Sequence, residues 1–294
     1  MLVLAVATAA AGALAGCSAG YGSSSQRYPT GTPYPAAVSH PTAAEQAATL
    51  RATEGYRRLL LTNAERLSSL LGTLSRDAGS GRLAAAQRDE LAAQGAYDVL
   101  RADVATDSAT ADQLDGERWS VGASPFGGLH AIEAALWGHG ACPVAHRLAT
   151  ALELQALLAG FVFYRMILTP DHILADAQSQ LAWTVGVAVA GREEQFSHHD
   201  LVDVVSAVGA ARSAFELVAP LGRLVATTTT AAVAARFAAL GRVLSGLGPP
   251  ASVVDNAIPA STWRAIATDT DAINAPLGDL SGLVAGFGSG RTYA

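Results

Sequence analysis

An all-α fold is what this sequence predicts, and three observations predict it. Half of the 294 residues are hydrophobic, chiefly Ala, Leu and Val, and only 6% are aromatic. That is the composition of closely packed, alanine-rich helices and not of a disordered chain. Apolar residues recur at three- and four-residue spacing through long segments punctuated by Gly and Pro clusters. No alternating apolar–polar run with a hairpin turn accompanies the Val and Thr residues, residues 227–230 included. The chain carries 19 basic residues, all of them Arg, against 25 acidic ones, for a formal charge of −6. A moderately acidic chain without a dense basic run is not built to bind nucleic acid, so no nucleic-acid partner is expected.

The elements follow in order. Residues 1–16 carry no charge and lead into Leu14-Ala15-Gly16-Cys17, the form of a lipobox. Small residues before a cysteine suit signal-peptide cleavage, with the Cys17 thiol as acceptor for a lipid. No positively charged stretch precedes the apolar run. Residues 17–42, rich in Ser, Gly, Pro and Tyr, read as a flexible tether, and residues 43–294 as the helical domain. The chain is therefore expected outside the cytoplasm, lipid-anchored to the cell membrane. With Cys17 so used, Cys142 has no disulfide partner and reads as a small buried hydrophobe. No second span is expected, because the most apolar stretch, 148–168, contains Glu153 and Arg165.

Within the domain, Leu50, Tyr56, Leu59, Leu60, Leu67, Leu70 and Leu71 form the apolar stripe of a first helix beginning near Ala43. The turn cluster Asp77-Ala78-Gly79-Ser80-Gly81 ends it. A second helix is expected over about 82–104, then a polar, Asp-rich connection over 106–124. Ser124-Pro125 reads as the N-cap and first-turn proline of a helix ending near Gly138 or Gly140. Pro143 opens the next, which Thr169-Pro170-Asp171 closes, and a shorter helix runs over about 173–190. Ser197-His198-His199-Asp200 has the S-x-x-D form of a capping box, opening a helix that ends before Pro220. The last two helices cover about 221–247 and 261–287. Eight helices without strands make an all-α domain of two packed bundles.

Two segments carry chemistry. In Gly128-Leu129-His130-Ala131-Ile132-Glu133, the i, i+3 spacing puts an imidazole and a carboxylate on one helix face. Leu129, Ile132, Leu136 and Trp137 surround the pair, so part of that face is buried and its polar groups need partners. The same spacing also serves a simple helix-surface hydrogen bond. The second segment is Gly191-Arg192-Glu193-Glu194-Gln195-Phe196-Ser197-His198-His199-Asp200-Leu201. Alone it reads as a capped helix start with two solvated glutamates and surface histidines. His139, His146 and His172 lie near expected helix ends, where partial charge accounts for a histidine.

Together the two segments resemble the imelysin-like proteins, and more closely their EfeO-type branch, extracytoplasmic components of iron-uptake systems. In that branch the second block typically reads Gly-Glu-Glu-Asp-Arg-Tyr-Ser-His-Thr-Asp-Leu, which Glu193, Ser197, His198, Asp200 and Leu201 match. The resemblance spans the helical domain, although its specific motifs occupy only some thirty residues. It implies two four-helix bundles and a metal site, with iron the expected ion, centred on His130 and Glu133. Asp98, Asp115 and Glu193 complete the implied ligands, and His198 and Asp200 become supporting or second-site groups. It also implies membrane partners: an iron permease and an associated peroxidase-type protein. The cupredoxin domain that often precedes this fold has only the tether in its place here. Two departures stand out. The family's Tyr-Glu-x-Ile-Glu is Tyr97-Asp98-Val99-Leu100-Arg101 here, and Arg192 stands where a first glutamate is usual.

Four carboxylates converging on a neutral His130 would repel one another unless a cation, or the arginines Arg101 and Arg192, neutralised them. Three functions follow. An open acidic pocket marks a metal-handling surface protein, with oxygen-rich coordination. A guanidinium seated between His130 and Asp115 marks a non-catalytic binding module whose metal site has been replaced by internal ion pairs. A metallopeptidase, a label the family has carried, is the third, but the His-Glu-x-x-His helix it calls for is absent.

Overall fold

A computed structural model describes residues 41–116, 127–191 and 193–287, all within the unit His40–Ala294. The expected signal sequence, Cys17, residues 18–40, Ser124-Pro125 and Arg192 lie outside the described residues. The described chain is all-α, with ten α-helices: α1 (Ala43–Gly79), α2 (Leu83–Asp98), α3 (Arg101–Val104), α4 (Ser108–Leu114), α5 (Gly128–Glu133), α6 (Cys142–Arg165), α7 (Pro170–Trp183), α8 (Asp200–Val225), α9 (Thr227–Ser245) and α10 (Ala260–Val284). Single π-helical turns, Ala134–Gly138 and Thr184–Ala188, extend α5 and α7.

The first helix starts where its cap dictates. Thr42 accepts from the Glu45 N–H, and the Glu45 side chain returns a bond to Thr42, so the orphan donors at the helix start are satisfied locally. Its stripe of Leu60, Leu67, Leu71 and Leu74 is fully buried. α1 packs along α2 and α6, with α8 beside it, while α7, α8, α9 and α10 pack on one another in a closed ring. α1 and α6 are antiparallel, since Ser75 bonds His146 near the start of α6 and Arg57 reaches its far end. There the Arg57 guanidinium donates to the carbonyls of Phe163, Tyr164 and Met166 at 2.6, 2.7 and 2.8 Å. Carbonyls at the end of a helix lack the full set of intrahelical donors, and Arg57 supplies them here. Cys142 is buried. α6 and the segment Thr227–Ser252 are long and apolar enough to cross a membrane by length and composition. In this fold α6 lies against α1, with Leu154, Phe161 and Tyr164 facing outward and Ile167 exposed just past its end.

Four boundaries differ from expectation. The second helix breaks at Val99 and Leu100, giving α2 and α3, and Asp98 and Arg101 on either side of the break are both buried. A helix, α4, occupies the polar connection because Asp107 caps it, accepting from the Ala109 N–H and the Thr110 hydroxyl. Ser197 is not the cap of α8; His199 holds that position, and the Ser197 hydroxyl donates to Glu194. Finally, α8 runs through Pro220 to Val225. The proline removes one backbone donor, yet Leu221 is fully buried and Gly222 lies against Thr230 and Leu280, so packing holds the turn beyond it.

Candidate functional site

The site begins with a glycine. Gly128 opens α5 at φ +60°, and a Cβ there would overlap the Leu114 carbonyl and the Asp115 amide. Only glycine lets α5 press so closely on the end of α4, and this approach sets Asp115 beside His130. His130 Nε2 lies 3.0 Å from Asp115 Oδ1 and 3.6 Å from Glu193 Oε1, and its Nδ1 lies 3.9 Å from Glu133 Oε2. The other Glu133 oxygen accepts from the backbone N–H groups of Phe196 and Ser197 at 2.7 and 2.8 Å. Asp200 Oδ1 likewise accepts from the N–H groups of Glu193 and Glu194 at 3.1 and 3.2 Å. Glu133 and Asp200 thus fasten the 193–199 loop over the centre, and the loop delivers Glu193.

Arg101 occupies the middle. Its Nη2 donates to Glu193 Oε1 at 2.5 Å and Asp98 Oδ1 at 2.9 Å, and its Nη1 to Asp115 Oδ2. The guanidinium carbon stands 3.9 Å from the centroid of the Trp183 ring and 4.9 Å from that of Tyr97, a stack that binds a planar cation. α7 contributes more than Trp183: Gln180 Nε2 donates to the Asp98 carbonyl at 2.6 Å.

Of the five expected ligands, Asp115, His130 and Glu193 meet as a buried group whose ligand atoms all lie within 4.8 Å of one another, close enough to hold a metal ion. Asp98 joins them only through Arg101. Glu133 gives one oxygen to the loop. His198 is exposed, in a left-handed backbone conformation at φ +56°, and Asp200 supports the loop. Two expectations about the histidines are corrected. His199, expected on the surface, is buried, with its Nδ1 2.7 Å from the Ser197 carbonyl and its ring 5.1 Å from Trp137. His172 stands near a helix end as expected, in the first turn of α7, but that end is the positive pole and disfavours an imidazolium, so Asp103 and Asp176, not partial charge, account for it. Glu193 and Glu194, which alone read as solvated, are buried as well.

Sequence reasoning missed Glu90 and Asp203, both fully buried. The signal for Glu90 was present: Glu90, Gln94 and Asp98 recur every four residues on the inward face of α2. Asp203 follows Asp200 by three residues in α8.

The charges settle among themselves. Although burial alone would raise it, the Asp115 carboxyl is held well below the usual carboxylate range by Arg101 and His130. Burial works against a charged His130, but Asp115 and Glu193 raise its pKa well above that of a free imidazole. Burial, with Glu133 beside it, pushes Glu90 up to about 8. Burial also carries Glu194 and Asp203 well above the carboxylate range. It raises Glu193 to about 7 in spite of Arg101. Asp115, His130 and Glu193 fit a metal ion by distance. By charge they fit it poorly, because two of the three already bind a guanidinium. No family model matches this chain, and no curated protein matches it.

Proposed function

We propose that the chain is a membrane-tethered, non-catalytic helical module of the imelysin-like, EfeO-type kind, in which Arg101 stands where that family's central site would place a metal ion. One observation carries the reading: a single guanidinium bonds Asp98, Asp115 and Glu193 together and stacks on Trp183. A lipid on Cys17 would hold the chain to the outer side of the membrane, beside an iron permease and its peroxidase-type companion. The module would then act through its surface, where the outward side chains of α6 offer an apolar face to a partner.

Iron titration of the purified chain tests this. His130→Ala and Glu193→Gln are expected to leave the amount of iron bound by the chain unchanged. Loss of one equivalent of iron in either variant would overturn the proposal. That result would select the second reading, an iron-carrying component, which one feature favours: Glu193 Oε2 and Glu194 Oε1 are buried without hydrogen-bond partners, beside more acids than Arg101 and His130 can balance.

A further inference from the structure

A second group of polar side chains converges away from the guanidinium. Asp103 of α3 meets His172 and Asp176, one turn apart on α7, next to Tyr56 of α1. His172 Nε2 lies 3.1 Å from Asp176 Oδ2 and 3.7 Å from Asp103 Oδ1. The Tyr56 hydroxyl donates to Asp103 Oδ2 at 2.8 Å and lies 3.3 Å from Asp176 Oδ2. Asp103 is fully buried, yet its Oδ1 has no hydrogen-bond partner. A buried carboxylate oxygen without a donor is costly, and this one is turned toward the imidazole. The His172 side chain is 30% exposed, so the group opens to solvent on that side.

We infer that Asp103, His172 and Asp176 form a binding site for a divalent transition-metal cation of the zinc class, reached from solvent past His172. Zinc sits about 2.0–2.2 Å from imidazole nitrogen and carboxylate oxygen, so neighbouring donors around a tetrahedral ion are about 3.3–3.5 Å apart. The observed 3.1 and 3.7 Å bracket that spacing. All three ligand atoms lie within 4.8 Å of one another. One imidazole and two carboxylates form a nitrogen–oxygen set suited to zinc and its neighbours in the transition series, where calcium calls for six to eight oxygens. Three protein donors leave a fourth position for water on the open side. Tyr56 engages the far oxygen of Asp103, which turns Oδ1 toward the ion, as supporting hydrogen bonds do at metal sites. The inference is independent of how the Arg101 centre works.

Calorimetric titration of the purified chain with Zn²⁺ tests it, with Co²⁺ absorption as a spectroscopic check on the same site. One Zn²⁺ per chain is expected. His172→Ala and Asp176→Asn should each weaken binding at least tenfold, while His130→Ala leaves it unchanged. His172 is half-buried, on the solvent side; Asp176→Asn and Asp103→Asn, at buried positions, are read only if circular dichroism shows native helix content. Absence of Zn²⁺ binding by the wild-type chain, or binding that His172→Ala leaves intact, overturns the inference. Binding lost in His130→Ala but kept in His172→Ala overturns it together with the arginine-held reading of the centre.

Discussion

At the scale of single residues, Arg101 decides what the centre can be. A guanidinium shared by three buried carboxylates and stacked on an indole leaves unpaired charge behind when it is removed. Arg101→Leu is therefore expected to destabilise the fold by about 3–5 kcal/mol in urea denaturation, the usual cost of breaking a buried ion pair from one side. Arg101→Lys should fall between the two, since an ammonium keeps the charge but cannot span three carboxylates or lie flat on Trp183. Arg101 was legible in the sequence as a departure from a pattern of acids, and so was the convergence of Asp115, His130 and Glu193. The upward shift of the His130 pKa was not, because it depends on how closely Asp115 approaches, a distance set by the packing of α5 on α4.

At the scale of elements, that packing rests on Gly128. Gly128→Ala would place a non-glycine residue at φ +60°, at about 1–2 kcal/mol, and would drive its methyl into the end of α4. The expected result is a lower melting temperature and weaker coupling between His130 and Asp115, read as a fall in the His130 pKa by NMR titration. The existence of the long helices was legible, because periodic Leu and Ala stripes and Gly or Pro stops are local signals, whereas short α4 was hidden in a polar stretch without such a stripe. The misplaced boundaries share a cause. Ser197 has the right spacing for a capping box, but a buried Glu194 claims its hydroxyl. Pro220 is a helix stop only until Leu221 and Gly222 find their places against α9 and α10. The break after Asp98 has no Gly or Pro to announce it; burial of Asp98 and Arg101 accompanies it instead.

At the scale of the whole molecule, buried acid sets the response to pH. Burial raises Glu90 and Asp200 to about 8, Glu193 to about 7 and Asp98 to about 6, above the unfolded values of about 4. Each group binds its proton more tightly in the folded chain. The stability it contributes is complete below the unfolded pKa and is lost as pH rises through the folded one. His172 acts in the same direction: Asp103 and Asp176 hold it up to about 10, so its contribution fades above its unfolded value and is gone past about 10. Asp115 opposes them, its contribution being lost in acid. The urea midpoint is expected to fall steadily from pH 5 to pH 9. Glu90→Gln, which keeps an acceptor for the Trp137 indole, should flatten that slope and raise the midpoint at pH 8. The all-α class was legible at this scale from composition, helical periodicity and the lack of alternating runs in the sequence. The burial of so many acids was not, since it depends on which faces of α2, α5 and α8 meet.

The grip of Arg57 on the end of α6 bears on why a chain of this length contains no lysine. One guanidinium there spans three carbonyls, as Arg101 spans three carboxylates. A planar fork with five hydrogens can knit several acceptors on separate segments into one rigid junction, whereas an ammonium serves them as a point charge on a loose stem. With so few aromatic side chains to fill its interior, the molecule joins distant turns at these arginine knots.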